Sequence, residues 1–301
     1  MSSFFDEIHK NRAKSILLML VFAGFFGLIV YALVILLGGG LIALLFGVVI
    51  IIAYAAFTYL YGDKFVLKMS GAKPADRNQY PEYFSAVEGL SAAAEVPTPK
   101  VYVINDPSPN AFATGRNKKV SAIAATTGLL STMNRRELDG VIGHEMSHIS
   151  NNDIQFMMVA IVFAGAIGII AAIFRGMFFF GGFYGGGGNR NNGGLLLLLA
   201  LVVGLLAPFF ALLLRLAISR RREYMADANG ARMTRDPHAL ADALGKIQQY
   251  TKSQKAQPVK RANEVTASLY FANPLSAKSV ANLFSTHPPI EERIKRLEKM
   301  Y

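Results

Sequence analysis

Four stretches of this chain, residues 15–37, 41–61, 154–174 and 195–214, run for about twenty residues each without a charged side chain. At about 1.5 Å per residue, each crosses the roughly 30 Å hydrocarbon layer of a bilayer when helical. The buried helix of a soluble protein is usually shorter and keeps a polar face. Composition leans the same way, with 52% hydrophobic and 17% charged residues and a mean hydropathy of +0.34. Lys10, Arg12 and Lys14 precede the first stretch, as they would a cleaved leader. Its apolar part is longer than a leader's, no A-x-A site follows, and a second stretch starts almost at once. It reads as an uncleaved anchor, and the chain as a protein with four transmembrane helices.

Basic residues set the orientation. Lys10, Arg12 and Lys14 precede the first span, Lys64, Lys68, Lys73 and Arg77 follow the second, and Arg220, Arg221 and Arg222 follow the fourth. The turn at 38–40 has no charge, and the Gly-, Phe- and Asn-rich loop at 178–194 sits between spans with only Arg175 and Arg190 nearby. Both termini and both polar segments are therefore expected on the cytosolic side. The net charge of +11 suits an anionic leaflet. No basic stretch carries interleaved aromatics, so nothing points to nucleic acid. The absence of cysteine excludes disulfides and thiolate ligands.

The chemistry lies in Gly143-His144-Glu145-Met146-Ser147-His148-Ile149. On a helix, residues four apart fall on one face, so His144 and His148 can bond one divalent ion while Glu145 reaches a water beside it. Asn134 with Glu137 reads as a capping box, and Leu138, Val141, Ile142 and Ile149 form an apolar stripe. Gly140 and Ser147 fall on the other flank, where small side chains would leave room above an ion. Two histidines on one helix face are also compatible with plain core or surface positions. A third ligand has to decide.

Beyond the fourth span comes Arg220-Arg221-Arg222-Glu223-Tyr224-Met225-Ala226-Asp227. A stop-transfer cluster explains the arginines. It does not explain Glu223 and Asp227 at i, i+4 among Ala226, Ala228, Gly230 and Ala231, small residues that let two helices pack closely. Two carboxylates so placed suit one oxygen ligand and one acceptor for a ligating imidazole N–H.

Further upstream, residues 83–94 look like an amphipathic helix and 101–104 like a strand. Residues 110–115 and 120–124, around a polar turn at 116–119, look like a β-hairpin. Its small residues would leave backbone groups open on an edge strand, where an extended peptide can pair, although an edge strand needs no ligand.

H-E-M-S-H followed, beyond a hydrophobic hairpin, by E-Y-M-A-D resembles the H-E-x-x-H…E-x-x-x-D pattern of the M48 family of membrane zinc metallopeptidases. The four-span layout, the segment Asn110-Ala111-Phe112-Ala113-Thr114-Gly115 and the late His287-Pro288-Pro289…Arg293-Ile294 are similar to its bacterial HtpX branch. The resemblance implies one Zn2+ per chain held by His144, His148 and Glu223, with Glu145 as catalytic base and Asp227 behind the ligands. It favours substrate binding along Asn110, Ala111, Phe112, Ala113 and Thr114 and along Ala122, Ile123 and Ala124. It also places His287 and Arg293 near the catalytic centre, where they would stabilise an oxyanion. The alternative is a surface helix begun by Pro288 and Pro289, with Arg293 only capping or pairing. His238, near Pro237, reads as a helix-start residue, and His9 as part of the charged flank of span one.

The expected fold is mainly α: four transmembrane helices and a cytosolic α+β zincin-like (gluzincin) domain with a small β-sheet. Residues 1–61 would hold the tail and the first two spans, 62–152 and 215–301 the protease domain, and 153–214 an inserted transmembrane hairpin. The function implied is a zinc endopeptidase of the inner (plasma) membrane, with polypeptide substrates and a role in quality control of misfolded or damaged membrane proteins. An intramembrane site-2-type protease is the first alternative. Arg135, Arg136, Glu137 and Asp139 before the motif, and residues 151–153 after it, argue against it. A non-catalytic scaffold or transporter would need polar groups inside the spans, which these nearly lack.

Overall fold

A computed structural model describes residues 40–158, 220–253, 257–262, 269–272 and 288–300, with Leu20, Gly24 and Gly27. The chain enters them through helix α1 (Leu41–Met69), which bends by 59° between 45–54 and 59–69. Leu20 aside, every large exposed hydrophobic side chain among the described residues lies on α1, from Leu41 and Ile42 to Phe65. Such a patch is far larger than a soluble surface usually shows. No single described helix is long and apolar enough to cross a membrane; 45–54 and 59–69 reach that length and composition only when taken together across their bend. The span expected at 41–61 lies wholly on α1. The spans expected at 15–37 and 195–214, the loop at 178–194 and the part of 154–174 beyond Met158 lie outside the described residues.

The last turns of α1 belong to the folded domain. Val66 and Leu67 are buried with Ile104, Phe112 and Tyr270. Gly71, at φ +71, takes the left-handed turn that releases the chain from the helix into strand β1 (Ala72–Pro74). Helix α2 (Pro81–Ala93) starts with a proline at its first position, and strand β2 (Lys100–Ile104) follows. The expected hairpin is β3 (Ala111–Asn117) and β4 (Val120–Thr126), antiparallel, with the Asn117 carboxamide accepting from the Lys119 and Val120 N–H groups in the turn. The four strands run in the order β1-β2-β4-β3, with β2 and β4 parallel and the outer pairs antiparallel.

The sheet is small and mixed, and both faces are covered. Val101, Val103, Ala111, Ala113, Ile123 and Ala125 point into the cluster formed with α2 and the helix at Arg135–Ser150, while Ile104, Phe112, Ala122 and Ala124 point towards the end of α1 and Tyr270. The period of two that marks a strand is thus read by two different cores.

After a short helix α3 (Thr127–Thr132) comes α4 (Arg135–Ser150), with the expected capping box between Asn134 and Glu137. Nearly every residue from Glu137 to Ile149 is buried. It is packed by α2, by β3, by α5 (Arg220–Thr234) and by α6 (Pro237–Lys252). Helix α7 (Ile290–Leu297) closes the domain against α5 and α6.

The small residues of α4 make room for helices, not for an ion. A Cβ on Gly140 would lie 2.8 Å from the Leu240 backbone nitrogen on α6. The Ser147 hydroxyl accepts from Asn229 on α5 and from Asn151. The third apolar stretch also begins deeper than expected: residues 153–158 are helical, and Ile154, Phe156, Met157 and Met158 are buried in the domain.

Candidate metal centre

Helix α4 supplies His144, Glu145 and His148, and α5 supplies Glu223 and Asp227; none of the five is more than 5% exposed. The close approach is set where the two helices lack side chains. A Cβ on Gly230 would sit 2.8 Å from the His144 nitrogen, and one on Gly143 would sit 3.2 Å from the Gly230 carbonyl oxygen. This backbone contact lowers Glu223 and Asp227 onto the two imidazoles.

The His144 and His148 Nε2 atoms are 3.2 Å apart, and each lies 3.7 Å from a Glu223 carboxylate oxygen. Neighbouring ligand atoms in a tetrahedral site with bonds of about 2.0–2.1 Å are about 3.4 Å apart, so these three donors have the separation that a four-coordinate ion needs. Among the described residues, they form a group that could hold a metal, with all ligand atoms within 4.8 Å.

Each imidazole is oriented from behind. His144 Nδ1 lies 2.9 Å from Asp227 Oδ1, and His148 Nδ1 lies 3.1 Å from Asp153 Oδ2. With Nδ1–H donating to a carboxylate, Nε2 keeps its lone pair for an ion. Glu145 lies beside the group. Its Oε1 is buried without a hydrogen-bond partner, and the Ala113 amide on β3 faces its carboxylate. An orphaned carboxylate oxygen next to three converging donors is what a water on a bound ion would satisfy.

Burial pushes the Glu145 carboxyl up to about 7, with Glu223 adding to the rise while His148, the Ala113 amide and Arg293 oppose it. Burial and Arg293 bring His144 down to about 4 in spite of Asp227. Burial also works against protonated His148, yet Asp153, Glu223 and Glu145 carry it up to about 9. Without an ion, His148 is therefore the more basic of the two imidazoles, and a divalent ion must displace its proton to bind. The apparent affinity should rise about tenfold per pH unit from pH 7 to about 9 and flatten above. Competition against a chelator across that range checks the slope.

Arg293 is fully buried, and its guanidinium is spent locally. Nε and Nη2 donate to Asp227 at 2.9 and 2.7 Å, and Nη1 donates to the Phe271 carbonyl at 3.0 Å. In this arrangement it holds Asp227 against His144. His287 lies outside the described residues, as does His9, and His238 is exposed at the start of α6.

The hairpin sits at the centre, and at Ala111 its free edge already carries a partner from this chain. Ala111, Phe112, Ala113, Thr114, Ala122, Ile123 and Ala124 are all buried. The Ala111 carbonyl accepts from the Phe271 N–H at 2.8 Å, and the Asn110 carboxamide pairs with the Ala272 backbone. The Phe271 ring stands edge-on to His144, with ring centroids 4.9 Å apart. The sequence reading passed over both Phe271 and Asp153. Phe271 lies in a segment without periodicity. Asp153 looked like part of a polar break, and its only signal was an acid five residues past His148.

Residues 78–301 match the sequence model of peptidase family M48. The chain belongs to peptidase family M48. Curated M48-type relatives agree along almost its entire length. A protein named protease HtpX homolog from Dictyoglomus turgidum is 42% identical over 300 residues, covering 99% of this chain and 95% of its own. One from Caldanaerobacter subterraneus subsp. tengcongensis is 44% identical over 293 residues, covering 97% and 96%. The crystal structure of S. mikatae Ste24p is similar at 18% identity and a TM-score of 0.49, over 83% of this chain and 57% of that one. As an M48 peptidase, the chain is a metalloprotease with polypeptide substrates, and the triad of His144, His148 and Glu223 is its candidate metal-binding site.

Proposed function

We propose that this chain is a zinc endopeptidase anchored by four transmembrane helices that cleaves peptide bonds at the cytosolic membrane surface, in quality control of misfolded or damaged membrane proteins. The observation that carries the chemistry is the convergence of His144, His148 and Glu223 beside the unpartnered oxygen of Glu145. Two neutral imidazoles and one carboxylate, with no cysteine in the chain, are a donor set suited to catalytic zinc. Such an ion, when bound, polarises a carbonyl and lowers the pKa of water towards 7. Glu145 takes the water's proton as the scissile carbon is attacked and returns it to the leaving amine. Asp227 and Arg293 keep His144 aimed throughout.

The membrane part of the reading is supported by the four apolar stretches and by the outward apolar face of α1. The basic residues flanking those stretches support the cytosolic side. On this reading, residues 62–152 and 215–301 make one domain around the hairpin at 153–214, and the ion lies just outside the hydrocarbon. Substrate would run along Asn110, Ala111, Phe112, Ala113 and Thr114, with Ala122, Ile123 and Ala124 behind. The Ala113 amide next to Glu145 supports that placement. A peptide pairing at Ala111 has to displace the Phe271 N–H first.

The test is casein cleavage by the full-length protein purified in detergent. Cleavage should stop on chelation and return with Zn2+. Cleavage that survives complete metal removal would exclude a metal-dependent hydrolase.

A further inference from the structure

The carboxylate of Asp153 is the one imidazole partner at this site that the H-E-x-x-H…E-x-x-x-D pattern does not contain. It is 1% exposed, and it lies where the domain ends and the third apolar stretch begins. A carboxylate in that position is costly unless something answers its charge. Two groups do. Asp153 Oδ2 is 3.1 Å from His148 Nδ1, and Arg222 on α5 lies within electrostatic reach of both Asp153 and Glu223. Arg222 also stacks over Phe156, 4.7 Å from its ring centroid, which pins it beside the turn.

The backbone is shaped for this return. Helix α4 ends at Ser150, Asn151 caps it with its N–H on the Ser147 carbonyl, and Asn152 adopts φ 59. Asparagine is among the few side chains that tolerate that left-handed conformation. The single left-handed residue reverses the chain and brings Asp153 back under the imidazole one turn above it. The result mirrors the other ligand: His144, Asp227 and Arg293 form one row, and His148, Asp153 and Arg222 form a second.

We propose that Asp153 is a positioning residue for His148. It fixes the Nδ1–H tautomer and the ring orientation, and so ties the start of the helix at 153–158 to the metal site. Arg222, on α5, balances the charge. The inference rests on the reading of His148 as a ligand. Asp153 has a competing role as the N-terminal cap of the helix it opens, and a cap alone would change stability but not the metal.

The experiment uses the full-length protein in detergent. Zn2+ affinity is measured by chelator competition, the d–d absorption is read with Co2+, and thermal melting is recorded without metal. Asp153→Ala should bind Zn2+ about 10–100-fold more weakly, the usual cost of losing an outer partner of a ligating histidine. Its Co2+ spectrum should change, and its melting without metal should not account for the loss. Asp153→Asn keeps an acceptor for Nδ1–H and should recover most of the affinity, remaining about threefold to tenfold weak for want of the charge. Wild-type affinity and an unchanged Co2+ spectrum in Asp153→Ala would overturn the proposal. If that variant does not fold, wild-type affinity in Asp153→Asn would do the same. His148→Ala separates the two levels. Retention of metal there sinks the ligand reading itself, while loss of metal there with none in the Asp153 variants sinks only this inference.

Discussion

Replacing Glu145 by Gln should leave the metal bound and lower peptide cleavage by about 10²–10⁴-fold, the range a positioned general base contributes. The substitution is close to isosteric. The helix, the burial and the hydrogen bond offered by the Ala113 amide all have a partner in the Gln carbonyl. What the amide cannot do is accept a proton from water at the Oε1 position, which is buried without any protein partner. Burial raises the carboxyl to about 7 in the metal-free site, and a divalent ion beside it draws it back towards the ionised form that takes a proton. The loss should therefore fall on kcat, with the metal content by elemental analysis and the substrate KM close to wild type. Undiminished turnover with metal in place would remove Glu145 from the reaction. The same variant, holding substrate without cutting it, offers a way to trap what the protease engages in cells.

How much of this could be read in the chain depends on how local each signal is. The α4 helix was fully legible because its cap, its apolar stripe and its two histidines all lie within sixteen residues. The hairpin was legible for the same reason. The pairing of α5 with α4 could be anticipated from Ala226, Gly230 and Ala231, but the partner of each small residue could not. Gly140 turned out to face α6, and Gly143 turned out to face Gly230. Strand β1 is three residues, one of them Pro74, and forms only because β2 offers it an edge. Periodicity says which way the β3 side chains point and nothing about what meets its backbone at Ala111. The contact comes from Phe271 and Ala272, some 160 residues later in the chain. For Arg293 a motif gives proximity to the centre without naming its partners, Asp227 and the Phe271 carbonyl. Asp153 was missed because its role depends on one left-handed residue, Asn152, which no period records.

Glu223→Ala carries the second large effect, because it tests whether two distant segments share one ion. The two histidines alone would leave a divalent ion with two neutral ligands in a buried site, and with no carboxylate bonded to it. Affinity should fall well beyond the roughly 10–100-fold cost of losing an outer partner, so that protein purified from cells carries essentially no metal. The fold should persist, because α5 is held on α4 by the Gly143–Gly230 backbone contact and by Asp227 between His144 and Arg293. Near-wild-type melting without metal, together with lost metal and lost cleavage, is the expected pattern. Glu223→Gln sharpens it, since a neutral amide oxygen in the same place keeps the geometry and removes the charge. It should bind metal more weakly than wild type and better than Glu223→Ala. Full zinc occupancy in Glu223→Ala would mean that the third ligand lies elsewhere, and that the approach of α5 to α4 serves packing alone.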